Sequence, residues 1–163
     1  MREILSDLLA AYDRGEPCAM ATVVRTWRSA PRPAGASMIV TAGGEAIGSV
    51  SGGCVEGALY DLGQEVLADG QPQFETYGVS DDDAFSVGLT CGGILDVFVE
   101  RVDRDTWPEL PGVIRSVEAE EPVAVATVVA APEGGLLGRH VVVRATSVEG
   151  SLGTERLDGT VAA

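Results

Sequence analysis

Apolar residues recur at helical spacing at Ile4, Leu8, Leu9 and Ala11, so the pattern predicts a helix over Glu3 to Arg14, with Gly15 as its stop. Cys18 to Thr26 is a short β-prone run. Ser29 to Gly35 carries two prolines, which limit both ladder bonding and helix, and reads as a loop. Ser37 to Thr41 predicts a second strand, Gly43-Gly44 a turn, and Glu45 to Val50 a third strand. From Cys54 to Ala68 the period returns to that of a helix, with Leu59, Leu62, Val66 and Leu67 facing inward. Phe74 to Tyr77 and Ile94 to Val99 complete the first half as strands.

The order of elements then recurs. Glu16-Pro17-Cys18-Ala19-Met20-Ala21-Thr22-Val23-Val24 matches Glu121-Pro122-Val123-Ala124-Val125-Ala126-Thr127-Val128-Val129 at an offset of 105. Gly35 to Val40 aligns with Gly138 to Val143 at 103, and Gly48-Ser49-Val50 with Gly150-Ser151-Leu152 at 102. The shrinking offset implies the same strands joined by shorter loops, and the preceding helix recurs at roughly Glu109 to Ala119. These units, about 3–68 and 109–163, predict an α/β fold, with α+β as its variant. It is expected as one domain over 1–163, built from two helix–strand–strand–strand units with mixed sheets flanked by helices. At offset 102 a further helix is expected near Leu157; a repeat ending inside that helix points to a longer parent chain.

Composition narrows the class. Hydrophobic residues make up 45% and charged residues 22%, the balance of a folded chain, while aromatics at 5% leave the core to Val, Ala, Leu and Ile. The formal net charge of −14 argues against nucleic acid or an anionic lipid surface as partner, since both require Lys and Arg to displace counterions. It fits either a basic protein surface or plain solubility. Met1 to Asp7 does not read as a signal peptide, no apolar stretch reaches spanning length, and Cys18, Cys54 and Cys91 do not suggest a disulfide framework. The expectation is a cytoplasmic protein with reduced thiols.

Ser51-Gly52-Gly53-Cys54 falls where strand gives way to helix. Unsatisfied N–H groups and the positive dipole end suit such a place to anions, glycines admit close approach, and a thiol there is activated. The alternative is a tight turn with Cys54 merely packed. The second copy aligns Gly153-Thr154-Glu155-Arg156 with these residues: it dispenses with the thiol and the double glycine, so the turn alone does not require them. Gly88-Leu89-Thr90-Cys91-Gly92-Gly93, before the strand at Ile94, is a second Cys/Gly-Gly loop. Cys18 aligns with Val123 and is assigned to the core. Arg25, Arg28 and Arg32 cluster around the Pro-rich loop, as phosphate ligands or as ordinary surface arginines. Zinc and a Ser–His–Asp triad find no support: there is no Cys-x-x-Cys pair and no Gly-x-Ser-x-Gly elbow, and His140 is expected as a surface or half-buried strand residue. Ser80-Asp81-Asp82-Asp83 reads as a solvated or capping charge run.

Three blocks in order carry a family resemblance: Ala21-Thr22-Val23-Val24 with Ser29-Ala30-Pro31-Arg32-Pro33 and Gly35; Gly48 to Glu56; and Gly88 to Gly93. Together they resemble the XdhC/CoxI family, maturation factors of molybdenum hydroxylases such as xanthine dehydrogenase and carbon monoxide dehydrogenase. The resemblance implies a chaperone that binds and protects the molybdenum cofactor (molybdopterin) as cargo, supports its sulfuration through a cysteine desulfurase, and delivers it to the apo-hydroxylase. It makes Cys54 and Cys91 the cofactor-contacting thiols. Ser51, Gly52 and Gly53 become the backbone cradle, Gly92 and Gly93 its counterpart beside Cys91, and Arg28 and Arg32 looser phosphate ligands.

Family members usually add a C-terminal Rossmann-like domain, and no Gly-x-Gly-x-x-Gly fingerprint follows a strand here. The expectation is therefore the N-terminal domain alone, with a second subunit, such as another copy in a homodimer, closing the site. Two other functions stay open at the level of residues: sulfur or acyl transfer through Cys54, and an acidic protein-interaction module.

Overall fold

In the computed structural model, which describes residues 2–78, 93–132 and 134–162, the chain divides into two compact units, Met1–Val102 and Asp103–Ala163. The first is organised by the longest β-prone run. Cys18–Trp27 forms β1, the central strand, flanked by β2 (Ser37–Thr41) and β5 (Ile94–Val102). The edges are β3 (Ala46–Gly48) and β4 (Gln73–Tyr77), giving the order β3-β2-β1-β5-β4 with every pairing antiparallel.

Alternation along β1 sets the core. Ala19, Ala21 and Val23 share one face with Met38, Val40, Leu95, Val97 and Val99, and helix α2 (Glu56–Asp69) lays Leu59 and Val66 on that face. At Gly63 a Cβ would lie 3.0 Å from a Val40 methyl, so the missing side chain lets helix and sheet approach closely. A 3-10 turn at Arg2–Ile4 leads into α1 (Leu5–Arg14), which buries Leu5, Leu8, Ala11 and Tyr12 and ends at Gly15, φ 73°. Cys18, assigned to the core from its alignment with Val123, is fully buried, and desolvation pushes its thiol up to about 11.

The second unit repeats the first in miniature. Helix α3 (Leu110–Glu118) precedes β6 (Val123–Thr127), β7 (His140–Arg144) and β8 (Val148–Gly150), an antiparallel sheet in that order, followed by α4 (Glu155–Ala162). Register matches pair by pair: Thr22↔Ser37 and Met38↔Gly48 in the first copy correspond to Thr127↔His140 and Val141↔Gly150 in the second. So do the loop bonds. Gly35 N–H donates to Val23 O at 2.8 Å, and Gly138 N–H to Val128 O at 2.9 Å. Cross-strand polar pairs recur as well, Thr22 with Ser37 at 3.1 Å and Thr127 with His140 at 3.0 Å. The repeat is thus a property of the hydrogen-bond scheme and not only of residue likeness.

The α/β class expected from the sequence is present. In place of mixed sheets, all pairings among the described residues are antiparallel; within each copy the three strands follow one another by direct returns, and in the first unit α2 then carries the chain from the β3 edge to the β4 edge. The helix expected near Leu157 forms from Glu155. His140 departs from its expected exposure: it is 6% exposed, its ring stacked on Trp107 with centroids 4.1 Å apart. No helix among the described residues is long and apolar enough to cross a membrane.

Candidate functional site

Between β3 and α2 the chain runs through Ser49-Val50-Ser51-Gly52-Gly53-Cys54-Val55, and the first helical residue, Glu56, turns its carboxylate back into this loop. One oxygen, Oε1, accepts from Ser49 Oγ at 2.7 Å, Val50 N at 3.1 Å and Ser51 N at 2.9 Å. The other, Oε2, accepts from Ser51 Oγ at 2.5 Å, Gly53 N at 2.8 Å and Val55 N at 3.2 Å. Ser51 Oγ in turn accepts from Cys54 N and Val55 N, each at 3.0 Å, and Ser49 Oγ from Gly52 N at 3.0 Å. Burial alone would raise the Glu56 pKa; the hydroxyls of Ser51 and Ser49 and the Ser51 amide outweigh it and hold the carboxyl at about 2. It is therefore ionised at neutral pH.

This wiring changes the expected role of Ser51, Gly52 and Gly53. The loop's own carboxylate already uses most of the N–H groups expected to cradle a phosphate, and the Ser49 and Ser51 hydroxyls take the remainder. The site offers a rigid loop instead of an empty anion nest. Gly52 and Gly53 hold φ of 72° and 113°, in the left-handed region, and a Cβ on either would meet no described atom within 4 Å. Cys54, next in the chain, is half-buried against the α2 core.

The second copy shows what the first has added. Asp158 stands where Glu56 does, and accepts from Ser151 Oγ and Leu152 N, each at 2.7 Å, the counterparts of Ser49 Oγ and Val50 N. One methylene shorter, and facing Gly153 where the first copy has Ser51, it holds only the near half of the scheme. Glu56 carried no expected role in the sequence; an acidic residue at the same offset in both copies is the signal that could have found it.

The remaining candidates separate. Arg32 pairs with Glu3 at 2.7 Å, so its charge is already met. Arg28 is exposed, at φ 59°, with no ion pair among the described residues. Cys91, Gly92 and the run Ser80–Asp83 lie outside the described residues. Gly93 is placed: a Cβ there would fall 2.8 Å from Ser29 O and 3.0 Å from Ala30 Cα, so this glycine lets the start of β5 pass against the Ser29–Ala30 loop. Among the described residues no His, Cys, Asp and Glu cluster could hold a metal ion. His140, hydrogen-bonded through Nδ1 to Thr127 and stacked on Trp107, has a structural role in β7.

Comparison with known proteins bears on this loop directly. The model of the XdhC and CoxI family matches residues 11–78, which include Arg28, Arg32 and the whole Ser49–Glu56 loop. The chain is 32% identical over 124 residues to the molybdenum cofactor insertion chaperone PaoD of Escherichia coli, covering 76% of this chain and 38% of that protein. It is 38% identical over 101 residues to a probable xanthine dehydrogenase subunit of Bacillus subtilis, covering 59% and 30%. A crystal structure of a xanthine dehydrogenase from Bacillus halodurans superposes with a TM-score of 0.72 at 26% identity, over 90% of this chain and 44% of that one. The chain spans less than half the length of each of these relatives.

Proposed function

This chain belongs to the XdhC and CoxI family through residues 11–78, and we propose on that premise that it is a chaperone of the molybdenum cofactor, held as cargo and not turned over. The observation that carries this reading is the Ser49–Glu56 loop: a half-buried thiol at a helix start, on a backbone fixed by Glu56. It lies inside the segment that the family model matches, in a chain similar to an insertion chaperone.

The donor set decides which part of the cargo fits. A soft sulfur ligand suits a molybdenum or sulfur-bearing centre. A phosphate finds no spare N–H group between Val50 and Val55, so that end of the cofactor requires donors from outside the loop. Cys54 is accordingly the contact residue, on the turn that Gly52 and Gly53 make at positive φ. Cys91, as a second thiol, extends the proposal on the strength of the family motif. Delivery to an apo-hydroxylase of the xanthine or carbon monoxide dehydrogenase kind, sulfuration through a cysteine desulfurase, and a second subunit closing the site belong to the same proposal.

The test is stoichiometric binding of molybdenum cofactor by purified protein. Cys54→Ala is expected to lose binding while its circular dichroism and melting temperature stay at the wild-type values, and Cys91→Ala to weaken it. Normal binding by both variants would falsify the thiol assignment.

A further inference from the structure

We propose that the free edge of β6 is a docking site, which takes an extended segment of a partner protein as an added antiparallel strand with the side-chain pattern of β5. The proposal rests on the second unit alone and is independent of Cys54 and of the cofactor reading above.

The two copies differ in what lies beside their first strand. β1 is hydrogen-bonded on both sides, to β2 and β5, whereas β6 is bonded among the described residues to β7 alone. Val128 turns its backbone groups to the β7 side, donating to Arg139 O at 3.0 Å and accepting from Gly138 N at 2.9 Å. By alternation those of Val123, Val125 and Thr127 point the other way. Their counterparts in β1, Cys18, Met20 and Thr22, face Val102, Glu100 and Phe98 of β5. β6 also lacks the devices that blunt a free edge. Val-Ala-Val-Ala-Thr has no charge and no proline, and its pairing runs without a bulge, whereas β1 carries one at Val24. The other edges are protected, β4 by Glu75, and β3 and β8 by a length of three residues.

Side chains mark the same strip. At offset 102, Leu157 and Val161 of α4 stand where Val55 and Leu59 stand in the first copy. Val55 and Leu59 are 0% exposed, in one cluster with Leu95, Val97 and Val99 of β5; Leu157 and Val161 are 39% and 40% exposed. Ala124 is exposed too, where its counterpart Ala19 is buried in that cluster. The first copy thus shows what covers such a strip: an antiparallel strand whose alternate residues are branched and apolar. Charge adds a further requirement. Glu118, Glu120 and Glu121 are exposed at the start of β6, and in β5 the register position opposite Ala19 holds Arg101. A strand that brings a cation there meets carboxylates. A second copy of this chain fits less well, since its β6 would bring only alanines to the α4 face and no cation to Glu120 and Glu121. In strand addition of this kind the main-chain bonds supply affinity and the alternate side chains specificity.

Fluorescence anisotropy tests this, with a labelled peptide of the Ile94–Val102 sequence as probe. Wild-type protein is expected to bind it, and to bind a peptide carrying Leu95→Ser, Val97→Ser and Val99→Ser more weakly by about tenfold or more. In the protein, Val125→Pro removes one outward N–H at a position where an edge strand tolerates proline. The melting temperature should therefore hold while binding weakens about tenfold. Leu157→Asp combined with Val161→Asp, both at exposed positions, should weaken it at least as much. Cys54→Ala should leave it unchanged. No binding by wild type, or binding untouched by both Val125→Pro and the aspartate pair, overturns the proposal. A wild-type dimer in sedimentation that Val125→Pro converts to monomer assigns the edge to a second copy and overturns it as well. Because the cofactor reading stands on Cys54, each of these results leaves that reading to its own test.

Discussion

Glu56→Ala is expected to lower stability by about 3 kcal/mol, read as a shift in the urea midpoint without a change in slope. The substitution removes one carboxylate but strands the donors it served: the amides of Val50, Ser51 and Gly53, together with the Ser49 hydroxyl. Ser51 and Val50 are buried, so these groups cannot all turn to water. Glu56→Asp makes a finer comparison, because the second copy already contains that arrangement. It should keep the bonds to Ser49 and Val50 and lose those to Gly53 and Val55, giving an intermediate loss. Glu56 also sets a pH dependence. Its folded pKa of about 2 lies below the ordinary value of 4.5, so its contribution is complete above pH 4.5 and disappears as pH falls towards 2. Stability of wild type minus that of Glu56→Gln should therefore shrink across that window. A difference that stays constant from about pH 5 to pH 2 would contradict the hydrogen-bonded carboxylate.

Gly48→Ala and Gly150→Ala should each destabilise the protein by about 2–4 kcal/mol, for the same reason in two places. These glycines end β3 and β8 at φ of 89° and 79°. A Cβ on Gly48 would lie 2.6 Å from Ser37 O and 2.5 Å from an Ile4 methyl; on Gly150 it would lie 2.5 Å from His140 O. Backbone carbonyls of the adjoining strands cannot move without breaking the ladder, so the clash is not relieved by a rotamer change. Melting temperatures of the two variants measure this. If either alanine is tolerated at the wild-type value, the equivalence of the two copies fails at that position.

What could be read from the sequence was what is local. Period 3.6 at Ile4, Leu8 and Ala11 and the β-prone run from Cys18 both mark elements that the fold contains, to within a few residues at their ends. The repeat was legible because it duplicates such local patterns, and it carried the prediction of α4 from α2. Pairing over long separations was not legible. Arg25 and Asp96 are 71 positions apart, and nothing near either announces that the Val24 bulge will bring them to one face. The Gly-Gly-Cys loop was recognised as special, but its anion-binding capacity was assigned to a ligand. That Glu56 folds back onto the loop's N–H groups was not legible: a helix start attracts any nearby negative group, and here the nearest one is the residue that begins the helix.

That internal occupancy has a consequence for a carrier. A loop that owes its order to a bound molecule must melt, or find new partners, whenever the molecule departs. Here the residues from Ser49 to Val55 are held by a side chain that never leaves. On the proposed reading, receiving and surrendering cargo at Cys54 would require no refolding of the receptacle.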